Sequence, residues 1–102
     1  MKKYKTLKGL FKDYKHWTKD TYARDSSGVS QKLTSPKAVS FCLHGGLKLV
    51  YTNHRTRAAA EKRILKVITK LYPKFVYNIV GFNDSNATHI KDIRKVVKLA
   101  NV

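Results

Sequence analysis

The chain has 102 residues, with 22 Lys plus Arg against 6 Asp plus Glu, and a formal net charge of +16 at pH 7. Its length fits one small domain over residues 1–102 and excludes two independent cores. A hydrophobic fraction of 42%, with four Phe, six Tyr and one Trp, excludes a charged disordered tail.

No run approaches the roughly 20 apolar residues that span a bilayer. Met1–Lys5 leads into an amphipathic pattern instead of a secretory segment, so the expected location is the cytoplasm, without membrane attachment. Cys42 is the single cysteine, which rules out an intrachain disulfide and a cysteine-based zinc cage. Residues 1–50 and 51–102 each carry eleven basic and three acidic side chains, so the charge belongs to the whole folded surface and not to a tail.

In chain order, Leu7, Leu10, Phe11, Tyr14 and Trp17 recur at helical spacing and predict a helix over 7–18, with Thr6 as its N-cap. Lys8, Lys12, Lys15 and Lys19 fall on one arc beside that apolar stripe. Thr21–Val29 alternates turn formers with β-tolerant residues and predicts a hairpin or tight loop. Ser35-Pro36 is a helix-start pair, which predicts a largely apolar central helix over 36–51. Gly45 and Gly46 inside it are costly, and close approach of a neighbouring backbone accounts for them better than a kink or ligand contact.

Asn53 is expected to end that helix and Thr56 to cap the next, over 57–72, with Pro73 beyond its end. Its face Ala60, Ile64, Val67, Ile68 and Leu71 is apolar, and Lys62, Arg63, Lys66 and Lys70 lie opposite. Phe75–Phe82 alternates loosely and reads as a short strand. After Asn83–Asn86 a last helix is predicted over 88–100, with Ile90, Ile93, Val97 and Ala100 inward and Lys91, Arg94, Lys95 and Lys98 outward. The fold class is mainly α: a compact four-helix domain with a minor hairpin or strand, or α+β as the alternative.

The chemistry of sites is sparse. His16, His44, His54 and His89 are isolated, so no metal ligand set forms and no cofactor is implied. Cys42 and His44, two apart on a predicted helix, point in different directions, and Cys42 reads as core. No spacing pairs the six carboxylates for acid–base work, and Gly45-Gly46 lacks the context of a phosphate-binding loop. What stands out is the shortage of acids on the helix faces. Exposed helices ordinarily mix both signs to gain i,i+4 pairs, and this chain forgoes them.

Trp17, then Tyr22-Ala23-Arg24-Asp25 with Gly28, then Ala38-Val39 with Phe41-Cys42 and Gly45-Gly46, then Phe82-Asn83-Asp84 before an amphipathic C-terminal helix, form an ordered set of markers over residues 17–100. In that set the chain resembles a family of small uncharacterised bacteriophage and bacterial proteins, a domain of unknown function. Leu43-His44 after Cys42 departs from that family's usual Gly-Ala. The resemblance implies a shared fold and a phage origin, and it supplies no activity.

Charge and pattern together point to a non-enzymatic polyanion binder, with sequence-tolerant DNA or RNA contact through Lys8/Lys12/Lys15/Lys19, Lys62/Arg63/Lys66/Lys70 and Lys91/Arg94/Lys95/Lys98. Two alternatives differ in kind. One is an anti-defence module that sequesters a small nucleotide-derived signal in a pocket of Arg24, Asp25, Asn83 and Asp84. The other is an inhibitor of an acidic host protein.

Overall fold

The computed structural model describes residues 4–73 and 78–102. Helices dominate and a three-stranded antiparallel sheet of two-residue strands is the minor element, as the mainly α reading expects. The described helices number five instead of four: α1 Leu7–Leu10, α2 Leu43–Val50, α3 His54–Leu71, α4 Ile79–Asp84 and α5 Ile90–Ala100. None of them is long and apolar enough to cross a membrane.

The first helix is far shorter than the 7–18 its apolar spacing predicts. Thr6 caps it as expected, its side chain accepting from Gly9 N at 3.0 Å. Its last carbonyls are then taken by side chains: His16 Nδ1 donates to Leu10 O at 2.9 Å, and Arg94 Nε donates to Phe11 O at 3.0 Å. With those acceptors occupied, helical propagation stops. Asp13 caps a separate 3₁₀ turn at Tyr14–His16, so Lys8, Lys12, Lys15 and Lys19 do not share a helical arc.

Ser35-Pro36 likewise starts a turn and not a helix. Ser35 O accepts from Ala38 N at 3.1 Å, and the chain then enters the sheet. Strand β1 (Ala23–Arg24) is central, with β2 (Ser30–Gln31) and β3 (Ser40–Phe41) antiparallel on either side, Ala23 opposing both Gln31 and Phe41. Pairing with β1 holds residues 40–41 extended against their local helical signal, and α2 begins only at Leu43. Cys42 caps it, Sγ accepting from Gly45 N at 3.2 Å.

Asn53 caps α3, its Oδ1 accepting from Arg55 N and Thr56 N at 2.9 and 3.1 Å; Thr56 is therefore inside the helix. Of the strand expected over Phe75–Phe82, residues 75–77 lie outside the described residues, and from Ile79 the chain is helix α4, capped by Asn78. Helix α5 starts on a capping pair, Asp92 accepting from His89 N at 2.9 Å.

The helices close over one core in which Leu7, Leu10, Phe11, Leu47, Ile64, Ile68, Phe82 and Ile93 are fully buried. The glycine pair follows from packing. A Cβ on Gly45 would meet the Tyr22 carbonyl oxygen at 2.6 Å, and one on Gly46 would meet the Phe11 ring at 2.9 Å. Close approach is the reason, and α2 lies where only glycine fits.

Candidate nucleic-acid interface

Helix α5 sits between α1 and α3, and arginines fix both contacts. On one flank, Arg94 donates to Phe11 O and to Lys12 O, and Lys8 Nζ donates to Asn101 Oδ1 at 3.0 Å. On the other flank, Arg63 donates to Ala100 O at 3.0 Å and to Asn101 O, the carbonyls at the end of α5. Tyr72 Oη donates to Asp92 Oδ1 at 2.9 Å near the opposite end, so α3 and α5 run antiparallel. Both arginines meet helix carbonyl ends, where a cation also opposes the helix dipole favourably.

The second and third basic sets are thereby adjacent. Arg63, Lys66 and Lys70 line a groove of about 370 Å³ against Leu99 and Ala100 of α5. Lys91 and Lys95 stand two turns and one turn before Leu99 on the same row of α5, so they flank that groove, and Lys98 lies on the exposed face. Lys62 is exposed on α3. Lys8 and Lys12 of the first set border α5 through the Asn101 and Arg94 contacts. Lys15 is exposed on the 3₁₀ turn, while Lys19 leaves the group: its Nζ donates to Ser85 O at 2.6 Å and lies 5.4 Å from the Trp17 ring centre.

The acids are few, and most are committed to turns and caps. Four of the six are engaged with neutral donors: Asp13 with Lys15 N, Asp25 with Ser27 N and Val29 N, Asp84 with Asp20 N and Asn83 Nδ2, and Asp92 with His89 N and Tyr72 Oη. They serve as turn and cap acceptors. The Val29 amide, then the Gln31 side chain, hold the Asp25 carboxyl below its ordinary range. Their charge remains: against the opposing effect of burial, the His89 amide and Tyr72 hydroxyl, then Lys91, hold the Asp92 carboxyl below its ordinary range.

The four loop residues of the alternative pocket have internal partners. Arg24 Nε donates to Thr18 Oγ1 at 2.8 Å, Nη1 to Gly28 O at 3.0 Å and Nη2 to Lys19 O at 3.1 Å. Asp25 closes the β1–β2 turn, where Gly28 takes φ +85°, a left-handed value suited to glycine. Asn83 is fully buried: its Oδ1 accepts from Trp17 Nε1 at 2.7 Å and Leu43 N at 2.9 Å, and its Nδ2 donates to Thr18 O and Asp84. Arg24 and Asp25 shape the hairpin, and Asn83 and Asp84 moor the Trp17–Thr21 segment. Of the four, Asp84 lines a cleft of about 360 Å³ shared with Asp20, Tyr22, Cys42 and Val80.

Cys42 is buried, and burial pushes its thiol pKa up, away from a nucleophilic thiolate. His44 packs against Tyr22, ring centres 5.7 Å apart, and partial burial lowers its pKa. Among the described residues no three His, Cys, Asp or Glu side chains gather as a metal ion requires.

One further cavity, of about 590 Å³, has Tyr4 and His16 on one wall and Leu33, Ala38, Phe41 and Leu49 among its apolar residues. No spacing in the sequence announces it, because its walls come from separate elements brought together by the sheet. No family model, curated protein or solved structure matches the chain.

Proposed function

We propose that this protein is a non-enzymatic binder of nucleic acid that contacts the phosphate backbone with little regard to sequence. The observation that carries the reading is the position of α5: its exposed Lys91, Lys95 and Lys98 lie between Lys8 and Lys12 on one side and Arg63, Lys66 and Lys70 on the other. Backbone-anchored Arg63 and Arg94 each use two of five guanidinium N–H donors internally, which leaves the rest for phosphate oxygens. Lysines on helix faces supply point charges and no bidentate base readout, so discrimination between sequences is weak.

The test is fluorescence anisotropy with a labelled duplex over a range of salt. Neutralising about five phosphates gives a log–log slope of roughly −4 to −5 on B-form DNA. A slope near zero, or no binding at low salt, overturns the proposal. On the resemblance carried by Trp17, Ala23-Arg24-Asp25 and Phe82-Asn83-Asp84, the same proposal places the chain among phage and bacterial proteins acting in a host cytoplasm. A nucleotide-sequestering role for Arg24, Asp25, Asn83 and Asp84 draws less support, since their hydrogen-bonding groups are engaged within the fold.

A further inference from the structure

We infer that the cavity between Tyr4, His16 and the Leu33–Phe41 segment accepts one unstacked base of a single-stranded nucleic acid. The inference rests on the nucleic-acid reading above and adds a preference for single strands over duplex.

Size and lining fit a flat heteroaromatic ring. At about 590 Å³ the cavity falls within the roughly 300 to 1000 Å³ of small-ligand sites, and its lining mixes apolar residues with the polar side chains of Tyr4, His16, Thr34 and Ser35. Leu33, Ala38, Phe41 and Leu49 supply apolar contact, and Thr34 and Ser35 also line the cavity. The Tyr4 and His16 rings, 5.7 Å apart and tilted by 60°, form an aromatic wall.

His16 also has a defined hydrogen-bonding polarity. Its Nδ1 faces the Leu10 carbonyl at 2.9 Å, and a carbonyl only accepts, so the proton is on Nδ1. In the neutral ring Nε2 is then an acceptor, suited to the amino or ring N–H of a base.

The link to the basic face is short. Leu10 O holds His16, Phe11 O holds Arg94, and Lys12 O also receives Arg94, so three successive carbonyls join the cavity wall to α5. Exposed Lys12 and Lys15 lie in the same chain segment as His16. A phosphodiester on these lysines brings its own base to the Tyr4–His16 wall. Paired bases are stacked inside a duplex and enter such a site only after costly unpairing.

The experiment compares three labelled 12-mers by anisotropy over a range of salt: oligo(dA), an abasic strand with the same phosphates, and a duplex. The wild type is expected to bind oligo(dA) more tightly than the abasic strand by about 5- to 150-fold, the range for one stacked base. That gap is expected to vanish in His16→Ala, which removes the wall, and in Ala38→Leu, which fills the cavity, while the salt slope stays as in the wild type. Either variant alone decides if the other fails to fold. Equal binding of oligo(dA) and the abasic strand by the wild type overturns the base site and leaves phosphate binding standing. A gap that survives both variants places stacking elsewhere and overturns it too. No binding to any of the three at low salt overturns the nucleic-acid reading itself.

Discussion

Trp17 donates its indole N–H to Oδ1 of Asn83 at 2.7 Å, joining positions 66 residues apart. The same oxygen accepts the Leu43 amide that opens α2, and Nδ2 donates to Thr18 O, so one buried side chain ties the N-terminal segment, α2 and α4 together. Asn83→Ala leaves several buried groups unpaired at about 1–3 kcal/mol for each that water does not reach. Urea denaturation should show a loss of about 3 kcal/mol or more. A loss below about 1 kcal/mol would mean that the segment is held by packing alone.

Gly45 and Gly46 separate backbone from side-chain crowding. An alanine at 45 meets the Tyr22 carbonyl at 2.6 Å, in a strand-linked segment that cannot move freely. Gly45→Ala should therefore cost about 1–3 kcal/mol despite the gain of nearly 1 kcal/mol in helix propensity. Gly46→Ala meets the Phe11 ring and a Leu10 methyl, which can shift, and should cost less. Thermal melts of the two variants side by side check the order.

Arg94 and Lys95 are adjacent in sequence, but only Arg94 also braces the fold. Arg94→Ala frees the Phe11 and Lys12 carbonyls and should lower stability by about 1–2 kcal/mol. Lys95→Ala should leave stability within about 0.5 kcal/mol and reduce the salt slope of binding by about 0.9. Paired urea titrations and anisotropy separate the two effects, and equal slopes for Lys95→Ala and wild type would remove Lys95 from the interface.

Asp25 predicts a pH effect of defined sign. Its folded pKa lies below the ordinary 3.8 because Val29 N–H, then the Gln31 amide, stabilise the carboxylate. Its contribution to stability is present above pH 3.8 and is lost as pH falls through the lower folded value. The stability difference between wild type and Asp25→Asn should hold from neutral pH to about 4 and shrink in more acidic solution. A difference constant down to pH 2.5 would contradict the carboxylate's role.

Much of the helical part was legible from spacing. The helices α3 and α5 follow their 3.6-residue apolar period, Thr6 caps where the sequence places a cap, and the Asp25–Gly28 turn sits within the segment read as a hairpin. The first helix was overestimated because spacing cannot reveal that His16 and Arg94 take the Leu10 and Phe11 carbonyls. Ser35-Pro36 misled for a related reason, since β1 captures Ser40–Phe41. The markers Arg24, Asp25, Asn83 and Asp84 stood out in the sequence, yet their hydrogen bonds make them braces of the fold.

By itself, the sequence determined the +16 charge, the shortage of acids on helix faces and the amphipathic character of α3 and α5, all of which are local or compositional. Only the tertiary structure decided which cations are neighbours. Arg94 reaches a carbonyl 83 positions away and Arg63 one 37 positions away, and these long-range bonds seat α5 between α1 and α3. Period and composition describe each helix alone. The relation between helices depends on which side chains find unpaired carbonyl ends once the core has closed.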